Sequence, residues 1–201
     1  MTIQRSVAAR DAANNAYSTT LGTTSVTLLL FTGAPPATCA TADSGTVLAT
    51  LALPSTPLGS SSSGVIGKSG SAWTGTASAT GTAGYYRLKA SGGAVVEQGT
   101  VAIATTVNTS ALTAAHGNVL TFASAPAGVV VGQTIAGTGV AAGCLVESIS
   151  GATIIMSKTS TAGVASAAAI TFSADLALDN TSIATSQTVT IASYAITAGD
   201  A

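Results

Sequence analysis

The chain has 201 residues, of which 6 are Lys or Arg, 7 are Asp or Glu and 1 is His, so the net charge is −1. Hydrophobic residues make up 47% and aromatic residues 4%, with a mean hydropathy of +0.55. This composition is too apolar for a disordered chain, and it lacks the clustered Lys and Arg that bind nucleic acid or an anionic membrane. We therefore expect a folded protein without nucleic-acid or membrane partners, whose low charge suits a component of a larger lattice.

The N-terminal segment, residues 1–21, is predicted to be an arm that contains a single helix. From Ser6 to Leu21 the sequence is rich in Ala and its apolar residues recur three and four apart, and Gly22 is expected to end the helix. The first residues do not form the apolar run of an export signal, so we expect the chain to be made in the cytoplasm and not exported. The longest aliphatic cluster, Leu28–Phe31, has the length of a strand and not of a membrane span.

The next region, residues 22–104, is predicted to be antiparallel β-structure. Tyr86 and Leu88 alternate with Tyr85, Arg87 and Lys89, which predicts a half-exposed strand. Ser91-Gly92-Gly93 supplies a hairpin turn, and the run 94–104 is expected to be the partner strand. Further strands are predicted at Thr24–Thr32, Thr46–Leu53 and Ala72–Thr80.

The composition changes near Thr105, which indicates a second domain. Short strands joined by Gly-rich turns are predicted at Asn118–Ala123, Gly128–Ala136, Cys144–Ser150, Ala152–Ser157 and Ala167–Phe172. The terminal run Gln187–Ala195 again resembles the first hundred residues. The predicted fold class is therefore all-β: a sandwich or barrel domain formed by 22–104 plus 174–201, with a short N-terminal helix, interrupted by a second small β-domain at 105–173.

Residues with catalytic or ligand chemistry are few and dispersed. Gly137–Ala142 fits the loose dinucleotide-binding pattern, but a strand is predicted after it where that site requires a helix. His116 lies in a predicted loop, and the acids do not form a pair of the kind that glycosidases use. We therefore predict that the chain is not an enzyme and takes no cofactor, metal or small-molecule substrate.

The two cysteines, Cys39 and Cys144, are expected to be free buried thiols because their separation does not fit a metal site. A disulfide between them stays open as an alternative for a particle that leaves the reducing cytosol. Trp73, Tyr85, Tyr86 and Tyr194 are the scarce large side chains, which we interpret as core or subunit-contact anchors rather than sugar-stacking platforms. With Arg87 they form the candidate set of subunit or capsid contacts.

Three stretches resemble a family of small tailed-phage virion proteins: Arg5–Asn14, Ala79–Arg87 and Gln187–Thr197. In that family an N-terminal helix leads into an all-β domain. Its two further motifs are matched by Gln98-Gly-Thr-Val101 and Asp175-Leu-Ala-Leu178, which here are separated by an extra segment. The core of that segment, Val131–Val140 with Val146–Ile154, resembles a β-module found in phage tail, fibre and bacterial surface proteins.

The resemblance implies a non-enzymatic virion protein, made in the cytoplasm of the host cell, that decorates or cements the capsid surface. Its partners would then be the major capsid protein and copies of itself, with a trimer as the leading expectation. The alternative is a tail, neck or fibre component whose inserted module touches the host cell. The composition is the same for both, so the sequence leaves the position in the virion open.

Overall fold

The computed structural model describes residues 4–70, 72–103, 105–178, 180–191 and 193–198. The chain is mostly β, with one helix near the N-terminus and several antiparallel sheets, which confirms the predicted all-β fold class. Within the described ranges no helix is long and apolar enough to cross a membrane. The elements are α1 (Val7–Leu21), β1 (Thr27–Thr32), β2 (Val47–Ala52), β3 (Val65–Gly67), β4 (Trp73–Thr76), β5 (Gly81–Lys89), β6 (Val95–Ala102), β7 (Thr105–Asn108), β8 (Val119–Thr121), β9 (Thr134–Ala136), β10 (Cys144–Ser150), β11 (Thr153–Met156), β12 (Ala169–Ser173), β13 (Leu176–Ala177), β14 (Ser182–Ile183), β15 (Thr188–Ile191) and β16 (Ala195–Thr197).

The chain divides into two compact units, one formed by Met1–Gly99 with Ser182–Ala201 and the other by Thr100–Thr181. These boundaries lie outside the predicted insert of 105–173 at both ends. The reason is a short parallel ladder, in which Val101 and Ala102 at the end of β6 pair with Leu176 and Ala177 of β13. That ladder belongs to the second unit, so the segment 174–181 that we placed in the host domain lies there as well.

Helix α1 begins and ends as the sequence predicts. The Ser6 hydroxyl accepts a hydrogen bond from the Ala9 amide at 3.2 Å, which caps the first turn. At the other end, Gly22 takes a φ of 86° and its amide donates to the Ser18 carbonyl. Within α1 only Asn14 and Leu21 are buried, so the helix lies on the surface of its unit.

The main sheet of the first unit places β6, β5, β1 and β2 side by side in that order. β1 pairs antiparallel with both neighbours, so that Leu30 lies opposite Ala49 on one side and Tyr86 on the other. The predicted hairpin between β5 and β6 is present, and the Ala90 amide donates to the Ala94 carbonyl at its turn. Side chains opposite one another share a face, and the residues of this face are buried.

The second layer of this unit is built from β4 with β15 and β3 with β16, both antiparallel. Val189 and Ile191 of β15 are buried while Thr188 and Thr190 are exposed, as the alternating pattern predicts. The two layers enclose the core as in a β-sandwich.

The prediction that the strand around Tyr86 is half exposed is wrong. Tyr85 and Arg87, on the face expected to meet solvent, are 0% and 1% exposed. The cause is the segment 33–46 between β1 and β2, because residues of this segment accept hydrogen bonds from both side chains. We call residues 33–46 the covering loop.

The second unit is a six-stranded sheet in the order β7, β12, β9, β10, β11, β8. Its two outer strands also meet, because Thr109 after β7 bridges to Phe122 after β8, and the Ser110 amide donates to the Thr121 carbonyl at 2.8 Å. The sheet therefore closes on itself around a core in which the rings of Phe122 and Phe172 lie 5.8 Å apart.

The predicted strand Gly128–Ala136 is shorter than expected and consists of β9 alone. Gly128 and Gly132 take φ values of 76° and 92°, which turn the chain before the strand begins. The strand predicted after Gly137–Ala142 is present as β10, at the place where a dinucleotide site would require a helix.

Candidate functional site

The five predicted contact residues lie in the interior of the first unit. Trp73 is 1%, Tyr86 2% and Tyr194 7% exposed, and Tyr85 and Arg87 are buried as well. Burial leaves little of these side chains exposed to a partner. That they are subunit or capsid contacts stays a prediction. The large side chains lie in the core, as the other interpretation of them as core anchors expects. Four of the five residues join separate segments of the unit through polar contacts, and Trp73 packs against one of these four.

A single carboxylate, Glu97 of β6, gathers three tyrosine hydroxyls. Tyr17 of α1 donates to Oε2 at 2.8 Å, Tyr194 donates to Oε1 at 2.6 Å, and Tyr86 of β5 also donates to Oε1. We call these four residues the tyrosine cluster. It connects the helix, the main sheet and the second layer at one point.

The electrostatics of the tyrosine cluster keep two of its phenols, those of Tyr17 and Tyr194, protonated. Burial, followed by the charge of the Glu97 carboxylate, raises the pKa of Tyr17 far above its ordinary value. The same two causes raise the pKa of Tyr194. The phenols of Tyr17 and Tyr194 therefore stay protonated and act as hydrogen-bond donors to Glu97.

Trp73 of β4 extends the tyrosine cluster into the second layer. Its ring lies 5.2 Å from that of Tyr194 with the planes tilted by 42°. The Trp73 Nε1 donor is buried without a hydrogen-bond partner within the described residues. The contact between these two rings is therefore one of packing and not of polar recognition.

A second group of polar contacts surrounds the guanidinium of Arg87. Nη1 donates to the Thr41 carbonyl at 2.8 Å and to Asp43 Oδ1 at 2.7 Å, and Nη2 donates to the Thr38 carbonyl at 3.2 Å. Nε and Nη2 both donate to Gln98 Oε1. One buried cation thus holds the covering loop against the sheet, and the planar fork of Arg suits several acceptors at once.

Asp43 is shared between Arg87 and a second cation. The Lys89 Nζ lies 2.7 Å from Asp43 Oδ2, and the hydrogen bond from Lys89 is the main reason that the pKa of Asp43 is lowered, with the bond from Arg87 adding to it. The ring of Tyr85 stacks on that of Phe31, with centroids 4.7 Å apart, and its hydroxyl bonds to Ser44. The covering loop is therefore held by Tyr85 and Lys89 as well as by Arg87.

A third group of contacts docks α1 on the turn between residues 61 and 64. Asp11 Oδ1 accepts from the Ser61 hydroxyl at 2.7 Å and from the Gly64 amide at 2.8 Å. These two bonds, the Ser61 hydroxyl first, lower the pKa of Asp11. Asn14 donates to the Gly64 carbonyl at 2.9 Å, so the inward face of the helix is polar.

Among the described residues, few other groups could support catalysis or metal binding. In the part of the chain that the structure describes, no group of three His, Cys, Asp or Glu residues could hold a metal. His116 is exposed in a turn, with a φ of 64°, and its amide donates to the Ser160 carbonyl. Cys39 is half-buried and Cys144 buried, and both thiols are free.

The sequence alone does not single out Tyr17, Glu97 or Asp43. Tyr17 and Tyr194 are 80 and 97 residues from the carboxylate they share, so no local pattern joins them. One signal was available, because Glu97 is the only charged residue between positions 90 and 146. An isolated carboxylate within a strand-like run has to find donors inside the fold.

Comparison of the chain with protein-family models, with curated proteins and with solved structures finds no match.

Proposed function

We propose that the chain is a non-enzymatic structural protein of a tailed-phage virion that decorates and cements the capsid surface, with the major capsid protein and copies of itself as partners. The observation that supports the proposal is that several of the few charged side chains of the first unit bind within that unit. Glu97, Arg87, Asp43 and Asp11 all bind other parts of the same unit. A chain that uses its polar groups to fix its own loops and helix suits a rigid, inert building block.

The segments that resemble virion proteins are also those that hold the first unit together. Asp11 and Asn14 come from the first segment, Tyr86 and Arg87 from the second, and Tyr194 from the third. This supports a first unit that serves as the body shared with such proteins and carries the particle-binding surface. The second unit, a sheet closed on itself, is then an added outward-facing module.

Decoration of a capsid works by summing many weak contacts over a lattice. Each copy needs only modest affinity, because neighbouring copies and repeated capsid sites raise the effective concentration of every contact. A nearly neutral chain also avoids long-range repulsion between closely spaced copies.

The test is the mechanical stability of filled heads in a phage that lacks this gene. We expect such heads to rupture at a lower temperature and after milder osmotic shock, and added protein to restore the original threshold. Unchanged heads combined with failed adsorption would refute decoration and favour the tail, neck or fibre alternative.

A deletion variant separates the roles of the two units. Replacing residues 105–173 with a short Gly/Ser linker removes β7 and β12 together and retains the ladder between β6 and β13. The decoration proposal expects this variant to be incorporated and the particles to infect. Normal assembly with failed adsorption would instead assign host contact to the second unit. An averaged image of the virion would locate the protein directly.

A further inference from the structure

Strand β15 is an edge strand of the first unit. It pairs with β4 along Thr188–Ile191, opposite Thr76 back to Trp73. Among the described residues no strand pairs with its other side.

The backbone N–H and C=O groups that point away from β4 at this edge belong to Thr188 and Thr190. The Ala77 amide donates to the Gln187 carbonyl at 2.8 Å, one step beyond the pair of Thr76 with Thr188. Hydrogen-bonded and non-hydrogen-bonded pairs alternate along an antiparallel ladder, so Val189 and Ile191 bond to β4 while the N–H and C=O groups of Thr188 and Thr190 point away from it. In the described part of the chain these outward groups have no hydrogen-bond partner.

Apart from its length of only four residues, the edge lacks the features that normally prevent pairing with another chain. Natural edges are protected by Lys, by Pro, by bulges or by a covering element. Positions 180–199 contain no charged residue and no Pro, and the ladder between β15 and β4 has no register shift. The strand is therefore regular, neutral and open.

The edge is also complementary to itself. When a second copy is placed antiparallel with Val189 opposite Val189 on a twofold axis, Thr188 lies opposite Thr190 of the second copy, and Thr190 opposite its Thr188. Each of these pairs is of the hydrogen-bonded type, so the four outward N–H groups meet four outward C=O groups. Opposite residues share a face, which places exposed Thr beside exposed Thr and buried Val beside buried Val.

We propose that β15 is the contact between two copies of this chain, joined antiparallel about a twofold axis into one continuous sheet. This inference takes from the proposed function only the expectation that copies of the chain associate with one another. A twofold contact uses the same surface on both copies, whereas a trimer needs two different surfaces. The trimer expected on the particle would therefore have to use surfaces other than this one.

The test uses the full chain in solution, by native mass spectrometry and sedimentation at micromolar concentration. We expect a dimer for the wild type and for the control Thr190→Val, which keeps the backbone donor. Thr190→Pro removes the outward N–H without removing a bond to β4, and it should raise the dimer Kd at least tenfold, about 1.4 kcal/mol.

A second variant covers the case in which the proline disturbs the fold. Thr188→Lys with Thr190→Lys leaves every backbone group in place and sets like charges directly opposite each other across the twofold, so it should be monomeric with an unchanged circular dichroism spectrum. A wild type that is monomeric or trimeric, or folded variants that dimerise as the wild type does, would overturn the inference. These outcomes do not depend on where the protein lies in a virion. The result of the dimer test is therefore independent of the result of the head-stability assay.

Discussion

Replacing Glu97 tests whether the tyrosine cluster holds the first unit together. Glu97→Ala removes the shared acceptor of Tyr17, Tyr86 and Tyr194. Tyr86 and Tyr194 are buried, so their hydroxyls lose a charged acceptor without gaining water, whereas the half-buried Tyr17 can turn to solvent. With about 1.5–2 kcal/mol for each buried hydroxyl and up to about 1 for Tyr17, the loss is about 3–5 kcal/mol.

This loss is a large fraction of the stability of a domain, which is about 5–15 kcal/mol. The chain has one tryptophan, Trp73, and it lies beside Tyr194, so its fluorescence reports the first unit alone. In a urea titration we expect the midpoint of the Trp73 transition to fall by about 2 M for an m-value of about 2 kcal/mol/M. Glu147→Ala, an exposed acid on β10, is the matched control and should leave that midpoint unchanged.

The tyrosines provide a graded check on the same reasoning. Tyr194→Phe should cost more than Tyr17→Phe, because Tyr194 is buried whereas Tyr17 is only half-buried. In the Glu97→Ala background Tyr194→Phe should cost much less than alone, because the bond it removes is already gone. A loss below about 1 kcal/mol for Glu97→Ala, or additive effects of the two changes, would refute the role assigned to the carboxylate.

Three further predictions address the covering loop, the strand packing and the thiols. The folded-state pKa of Asp43 is below its ordinary value of 3.8, so its contribution to stability is complete only well above 3.8 and is lost as pH falls through 3.8 to the lowered pKa; Asp43→Asn should flatten the dependence of the Trp73 transition on pH in this acid range. Gly84→Ala should severely destabilise the first unit, since its Cβ would lie 2.0 Å from the Gly33 carbonyl oxygen, whereas Gly92→Ala meets nothing within 4 Å and should be neutral in the same titration. A thiol reagent should modify half-buried Cys39 in the native protein and buried Cys144 only when the second unit opens, which peptide mass spectrometry can follow; equal rates at the two thiols would contradict this.

Local signals in the sequence predict the local structure well. Ser6 and Gly22 place the ends of α1 because capping is a property of the few residues around each terminus. The glycines after Lys89 predict the β5–β6 hairpin for the same reason. In β15 the alternation of Thr with Val and Ile identifies the buried face, because a strand with one wet side must follow the pleat.

The sequence does not show which strand faces are buried by segments that are distant along the chain. The pattern around Tyr85, Tyr86 and Arg87 is that of a half-exposed strand, yet the covering loop buries its second face. A polar side chain buried by hydrogen bonds and one exposed to water give the same alternation. The difference lies in whether a distant carbonyl or carboxylate reaches it, as Thr41 and Asp43 reach Arg87 across more than forty positions.

The polar clusters of the first unit are related to the low aromatic content of the chain. Aromatic residues are 4% of the chain, and burial of a small side chain contributes little because the gain scales with apolar area. In the first unit the burial of large apolar side chains, such as Leu30 and Phe31, is therefore supplemented by polar links between segments. In the first unit Glu97 joins three elements, Arg87 holds the covering loop, and Asp11 docks the helix. These charged groups are partnered within the unit, and positions 180–199, which include β15, carry no charge.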